Sequence, residues 1–130
     1  MDVDAIAHAV EACTLPKPEW THTAHLAAGL AWVRRLGLQA ATSHARANIR
    51  RYNESTGVAN TDHGGYHETI TRYFLSVLAG HAAAGSNFDD VLADPATGHD
   101  AALIHWRRET LFSVAARRDW VPPDLVPLGV

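Results

Sequence analysis

The chain has 130 residues, 47% hydrophobic and 19% charged, with nine histidines, one cysteine and one methionine. This is the material of one globular domain spanning 1–130, with a single core and no apolar run near the roughly 18 residues of a membrane span. Eleven Lys and Arg against 14 Asp and Glu give a net charge of −3, and Lys17 is the single lysine, which excludes the clustered positive charge on which nucleic-acid binding rests.

Cys13 alone rules out an internal disulfide framework and a cysteine-rich zinc site. The start, Met1-Asp2-Val3-Asp4, is acidic where a signal peptide is basic. The expectation is a cytoplasmic protein.

Alanine is abundant and β-branched runs are scarce, which favours helix. A short first helix is expected near Val3 to Cys13, stopped by Leu15-Pro16-Lys17-Pro18. A second follows the N-cap Thr21 and reaches Leu36-Gly37, with Leu26, Gly29, Leu30, Val33 and Leu36 on one face. A third spans about Gln39 to Glu54. Ala41, Ala45, Ile49 and Tyr52 face inward, and Arg46, Arg50, Arg51 and Glu54 face solvent. The loop Ser55 to Gly65 leads, with Thr61 or Asp62 as cap, into a fourth helix from about Gly65 to Ala84. Its stripe is Ile70, Tyr73, Phe74, Val77, Leu78 and His81. A short helical piece at Phe88 to Ala93 precedes a fifth helix, straight or bent, from near Asp100 to about Arg118. The tail Trp120 to Pro127 is expected to be an extended strap, because prolines fix its dihedrals. The fold expected is all-α: a single-domain bundle of four main helices with a proline-rich C-terminal strap.

His22 and His25 lie three apart on the Leu26/Gly29/Val33 face, so both imidazoles point inward. The stripe of the fourth helix runs back onto His67 and Tyr66. Three inward histidines, each near the start of its helix, hold too many lone pairs for too few donors, and a divalent metal resolves this. The competing reading has each histidine hydrogen-bonded singly in the core. Glu68 points about 100° away from His67 on a helix, so direct ligation needs an irregular helix start, which Gly64-Gly65 can supply. Otherwise Glu68 accepts from a histidine N–H, or sits in the first turn where the helix dipole favours it.

Tyr52 and Tyr73 either line a pocket or reach backbone groups from the core. Arg117-Arg118 is either an anion clamp or a cationic helix end. His81 reads as a satisfied core histidine. Cys13 has no catalytic partner, and there is no phosphate loop, no HExxH and no ExxH pair of the di-iron bundle type.

The strings Trp20-Thr21-His22-Thr23-Ala24-His25-Leu26, Tyr66-His67-Glu68-Thr69-Ile70-Thr71, Ala116-Arg117 and Trp120-Val121-Pro122-Pro123-Asp124-Leu125 resemble a family of small bacterial proteins. In that family HxxHL, YHETIT and a terminal AR…PDL occur in this order. The resemblance runs from Trp20 to Leu128. It implies site positions rather than a reaction: His22, His25, His67, Glu68 and Arg117.

The expectation is therefore a metal-dependent enzyme for a small molecule. His22, His25 and His67 would hold a divalent transition metal (Zn, Fe or Mn), with Glu68 as fourth ligand or general base and Tyr52 and Arg117 as catalytic candidates. Hydrolytic, lyase and oxidative chemistry stay open. The alternative is a non-enzymatic metal- or small-molecule-binding module or an accessory subunit. Neither nucleic acid nor membrane is expected as a partner. A homodimer is compatible with the limited area available to bury Trp20, Trp32, Trp106 and Trp120.

Overall fold

A computed structural model describes residues 1–129. The described residues are all-helical, with four long helices. They are α1 (Val3–Glu11), α2 (His22–Leu36), α3 (Leu38–Ser55) and α4 (Glu68–Ala84), followed by short helices α5 (Phe88–Ala93), α6 (Arg108–Leu111) and α7 (Val114–Arg118).

Helix α1 is capped by Asp2, whose carboxylate accepts from Ala5 N, and it buries Val3, Ala7 and Val10. It ends two residues earlier than expected, because Cys13 adopts φ 56° and Ala9 O receives the Thr14 and Leu15 N–H groups. Thr21 caps α2 as expected, accepting from Ala24 N.

Helix α2 packs against α1, α3 and α4. A central position demands burial nearly all round, and its small residues Ala24, Ala27, Ala28, Gly29 and Ala31 let three neighbours approach. A Cβ at Gly29 would lie 2.7 Å from Leu78 Cδ1, so that crossing requires glycine or a shifted leucine. Gly37 (φ 78°) turns the chain directly into α3, where Ala41, Ala45 and Tyr52 are buried and Ile49 half-buried. Arg46, Arg50, Arg51 and Glu54 are exposed.

Helix α4 starts three residues later than its stripe suggests, and neither Thr61 nor Asp62 caps it. Gly65 (φ 78°) lies so close to Ala59 O that a Cβ would sit 2.6 Å away. This turn leaves His67 extended (φ −131°, ψ 111°) as the cap itself, with its ring accepting from Ile70 N.

The expected fifth helix is three pieces: a 3-10 turn at Ala101–Ile104, then α6 and α7. The reason lies in capping. Ser113 accepts from Ala116 N and starts a new helix, while Asp124 of the strap accepts from Arg107 N and from the Thr110 hydroxyl at the start of α6. The breaks let Trp106, fully buried, join Tyr73, Ala101, Ala102 and Leu111 in a second hydrophobic cluster beside the main core. The strap carries no helix, as expected, and bends at 124–126. It is held by Trp106 Nε1–H to Val121 O, Leu125 N–H to His105 O and the Thr69 hydroxyl to Asp119 O.

Candidate functional site

A cavity of about 340 Å³ opens between α2, α3, α4 and the irregular 99–112 segment. It exists because Gly29, Ala45 and Ala102 line it where larger side chains would fill the space. Helix α4 supplies Ile70, Thr71, Phe74, Leu75 and Leu78. Helix α2 supplies His22, His25, Leu26, Gly29 and Trp32, a single face at three- and four-residue steps. Leu103, Leu111 and Phe112 cover the other side, with His99 and Asp100 as polar neighbours.

The two histidines of α2 are held in defined tautomers. His22 Nε2–H donates to Thr97 O at 2.7 Å, and His25 Nδ1–H donates to Thr21 O at 2.7 Å. A carbonyl only accepts, so in the neutral rings the lone pairs sit on His22 Nδ1 and His25 Nε2. The His25 ring stacks on Trp20 with centroids 3.6 Å apart at the border of the cavity, and the residue is exposed rather than turned into the core as expected. Surrounding protein disfavours its imidazolium and pushes the pKa down toward about 4, against the bond to Thr21. The His22 ring lies 5.2 Å from Phe74 and 5.5 Å from His99, centroid to centroid.

The structure does not bring His67 and Glu68 into this cavity. Both ring nitrogens of His67 are occupied: Nε2–H donates to Leu111 O at 2.6 Å, and Nδ1 accepts from Ile70 N at 3.1 Å. No lone pair is left for a metal, and burial pushes its pKa down. Glu68 does fall at an irregular helix start, yet its side chain, 3% exposed, turns to α3. It accepts from Arg46 Nε at 2.9 Å, from an Arg46 terminal nitrogen at 2.6 Å and from the Tyr66 hydroxyl at 2.8 Å. Burial raises its pKa, but these donors outweigh burial and hold it below the usual value. Among the described residues, no group of three or more His, Cys, Asp and Glu side chains is placed to hold one metal ion.

Tyr52 and Arg117 also lie apart from the cavity. The Tyr52 hydroxyl donates to Leu15 O at 2.8 Å from a fully buried position, and the Tyr73 hydroxyl donates to Ala96 O. Arg117 donates to Gly65 O and, at longer range, to Tyr66 O. It borders a smaller cavity of about 190 Å³ with Arg50, Asp62 and Arg118, where Arg118 is spent on Asp62. His81 bonds Ser86 and Asp94.

The residues that sequence reasoning missed are Trp32, His99, Asp100 and Phe112. Trp32 was within reach, because it continues the His25/Gly29 face. The others sit in irregular backbone with no period to read. Trp32 carries a second peculiarity: its Nε1 is buried without a hydrogen-bond partner, unlike every other fully buried side-chain nitrogen or oxygen among the described residues. No protein-family model, curated protein or solved structure matches this chain.

Proposed function

We propose that the chain binds a small, mostly apolar molecule in the α2/α3/α4 cavity and receives a hydroxyl or other donor of that molecule on His22 Nδ1 or His25 Nε2. The observation that carries this reading is the pair of carbonyl-tethered imidazoles on one helical face, bordering a cavity otherwise lined mainly by Leu, Ile and Phe. Ligand sites typically have this make-up: an apolar lining with a few fixed polar groups. The tethers hold each ring in one orientation before the ligand arrives, which lowers the ordering cost of binding.

A test uses 2-naphthol and naphthalene, followed by heteronuclear NMR. Wild-type chain should bind both, with shifts confined to cavity residues. The hydroxyl should add about fivefold in affinity, the worth of one neutral hydrogen bond. That increment should vanish in the His22→Phe/His25→Phe double variant. Ile70→Trp should block both probes. Failure of wild type to bind either probe overturns the reading.

A second reading keeps the metal-dependent enzyme with His22 and His25 as the protein ligands and substrate or water completing the shell. Its support is that metal-bound histidines usually donate their other N–H to a carbonyl or carboxylate, as both rings do here. Titration with Co²⁺, read by its visible absorption, separates the two. One equivalent bound by wild type and none by the double variant favours the metal reading, and no Co²⁺ spectrum leaves the binding-protein reading alone.

A further inference from the structure

We propose that the smaller cavity, of about 190 Å³, is a second binding site that takes a phosphoryl dianion between Arg50 and Arg117, either free phosphate or the phosphate of a small monoester. It is separate from the α2/α3/α4 cavity, and neither proposal depends on the other. Three arginines and one carboxylate line it, with the Thr61 hydroxyl and Tyr66 between them and no aliphatic side chain. Arg118 grips Asp62 with Nε–H and an Nη2–H on its two oxygens, both at 2.7 Å, so that pair is neutral and spent. Among the described residues neither Arg50 nor Arg117 pairs with a carboxylate. Glu54, one turn along α3 from Arg50, instead accepts from the Asn60 amide. Two positive charges are thus left uncompensated in a chain whose net charge is −3.

The walls are fixed before any ligand arrives. Arg117 Nη1 donates to Gly65 O and Tyr66 O, which anchors the guanidinium and leaves Nε and Nη2 to give. Asn60 ties the loop to both neighbouring segments: its Nδ2 donates to Arg50 O and its Oδ1 accepts from Tyr66 N, each at 3.0 Å. Gly65 closes over Asn60 where a Cβ would lie 2.7 Å from Oδ1. The Thr61 hydroxyl accepts from His63 N and keeps its own proton to donate. A concave site lined by one sign of charge attracts the opposite one, and guanidinium forks match the oxygens of phosphate or carboxylate. The two free charges favour phosphate, which carries about −1.5 to −2 near neutrality where a carboxylate carries one. The clamp that the Arg117-Arg118 pair suggests in sequence is therefore formed by Arg117 with Arg50.

The test follows proton–nitrogen NMR spectra of the chain at constant ionic strength and about pH 7.5 during addition of sodium phosphate, phenyl phosphate or sodium acetate. Phosphate should shift the Arg50 and Arg117 Nε–H resonances saturably, and acetate should bind about tenfold more weakly. Phenyl phosphate bound as well as inorganic phosphate identifies a monoester site, and its exclusion identifies free phosphate. Arg50→Gln, at an exposed side chain that makes no protein hydrogen bond, should fold as wild type does and lose about tenfold in phosphate affinity. Arg107→Gln removes the same charge from an exposed position outside the cavity and should change affinity less than about twofold. Three results each overturn the assignment: no saturable shift with phosphate, acetate bound as tightly as phosphate, or equal losses in the two variants.

Discussion

Replacing Arg46 by Met tests whether Glu68 is a structural anion rather than a catalytic one. The Arg46 guanidinium is 44% exposed, while the Glu68 carboxylate it grips with two hydrogen bonds is 3% exposed. Breaking a fully buried pair costs about 3–5 kcal/mol, and an exposed pair is worth about 0–1 kcal/mol. Here the carboxylate stays buried but keeps the Tyr66 hydroxyl and has Arg72 at 3.9 Å. The loss should therefore be about 2–3 kcal/mol, or roughly 6–12 °C in Tm for a domain of this size.

The pH dependence follows from the sign of the shift. In wild type the Glu68 pKa lies below 4.5, so its stabilising share is full above that value and is lost as pH falls through the folded pKa. Without Arg46, burial is less opposed and the pKa rises. The gap between wild type and variant should thus narrow as pH falls from the variant's raised folded pKa through the lowered wild-type one. Adding Glu68→Gln to Arg46→Met should recover part of the loss. Urea unfolding followed by circular dichroism at pH 7 and pH 4 reads all three. A gap under about 0.5 kcal/mol, typical of an isolated surface change, would refute the buried-anion account.

The other expectations concern the cap, acid behaviour and the helix crossing. His67→Ala should cost about 1–3 kcal/mol by removing the α4 cap and orphaning Leu111 O, whereas His67→Asn, a good cap residue, should cost less in a urea melt. The lowered His67 pKa predicts stability that is full above its unfolded value near 6.5 and declines as pH falls; His67→Asn should flatten that part of the pH–stability curve. Gly29→Ala should leave stability within about 1 kcal/mol, since helix propensity offsets the contact with Leu78. It should weaken naphthalene binding, because Leu78 and Leu75 have the cavity to move into. Tyr52→Phe should destabilise by about 1 kcal/mol and leave probe affinity unchanged.

The parts of the fold that were legible are those with strong local signals. Thr21 as cap, the bounds of α2, the Phe88–Ala93 helix and the helix-free tail all follow from capping chemistry, 3.6-residue periodicity and proline. That His22 and His25 share one face of α2 bordering the cavity follows from the same period, but His25 is exposed and His22 half-buried rather than both turned into the core. What failed depended on partners distant in sequence. His67 lies on the extrapolated α4 stripe, but Gly65 ends the period before it, and its ring bonds the chain 44 positions on. Glu68 finds Arg46 on a helix whose arginines look uniformly solvated in a wheel. The 101–118 segment has helical spacing, yet Ser113 and the strap's Asp124 cap it in pieces. Lone-pair accounting for three histidines assumed that no backbone carbonyl was near, and Thr21, Thr97 and Leu111 each supply one.

The most direct measurement is a crystal structure of the wild-type chain with 2-naphthol. The account predicts the fused rings among Phe74, Leu75 and Leu78, with the hydroxyl within about 3.0 Å of His22 Nδ1 or His25 Nε2. Naphthol bound elsewhere on the surface, or a cavity closed by its own side chains, would contradict it.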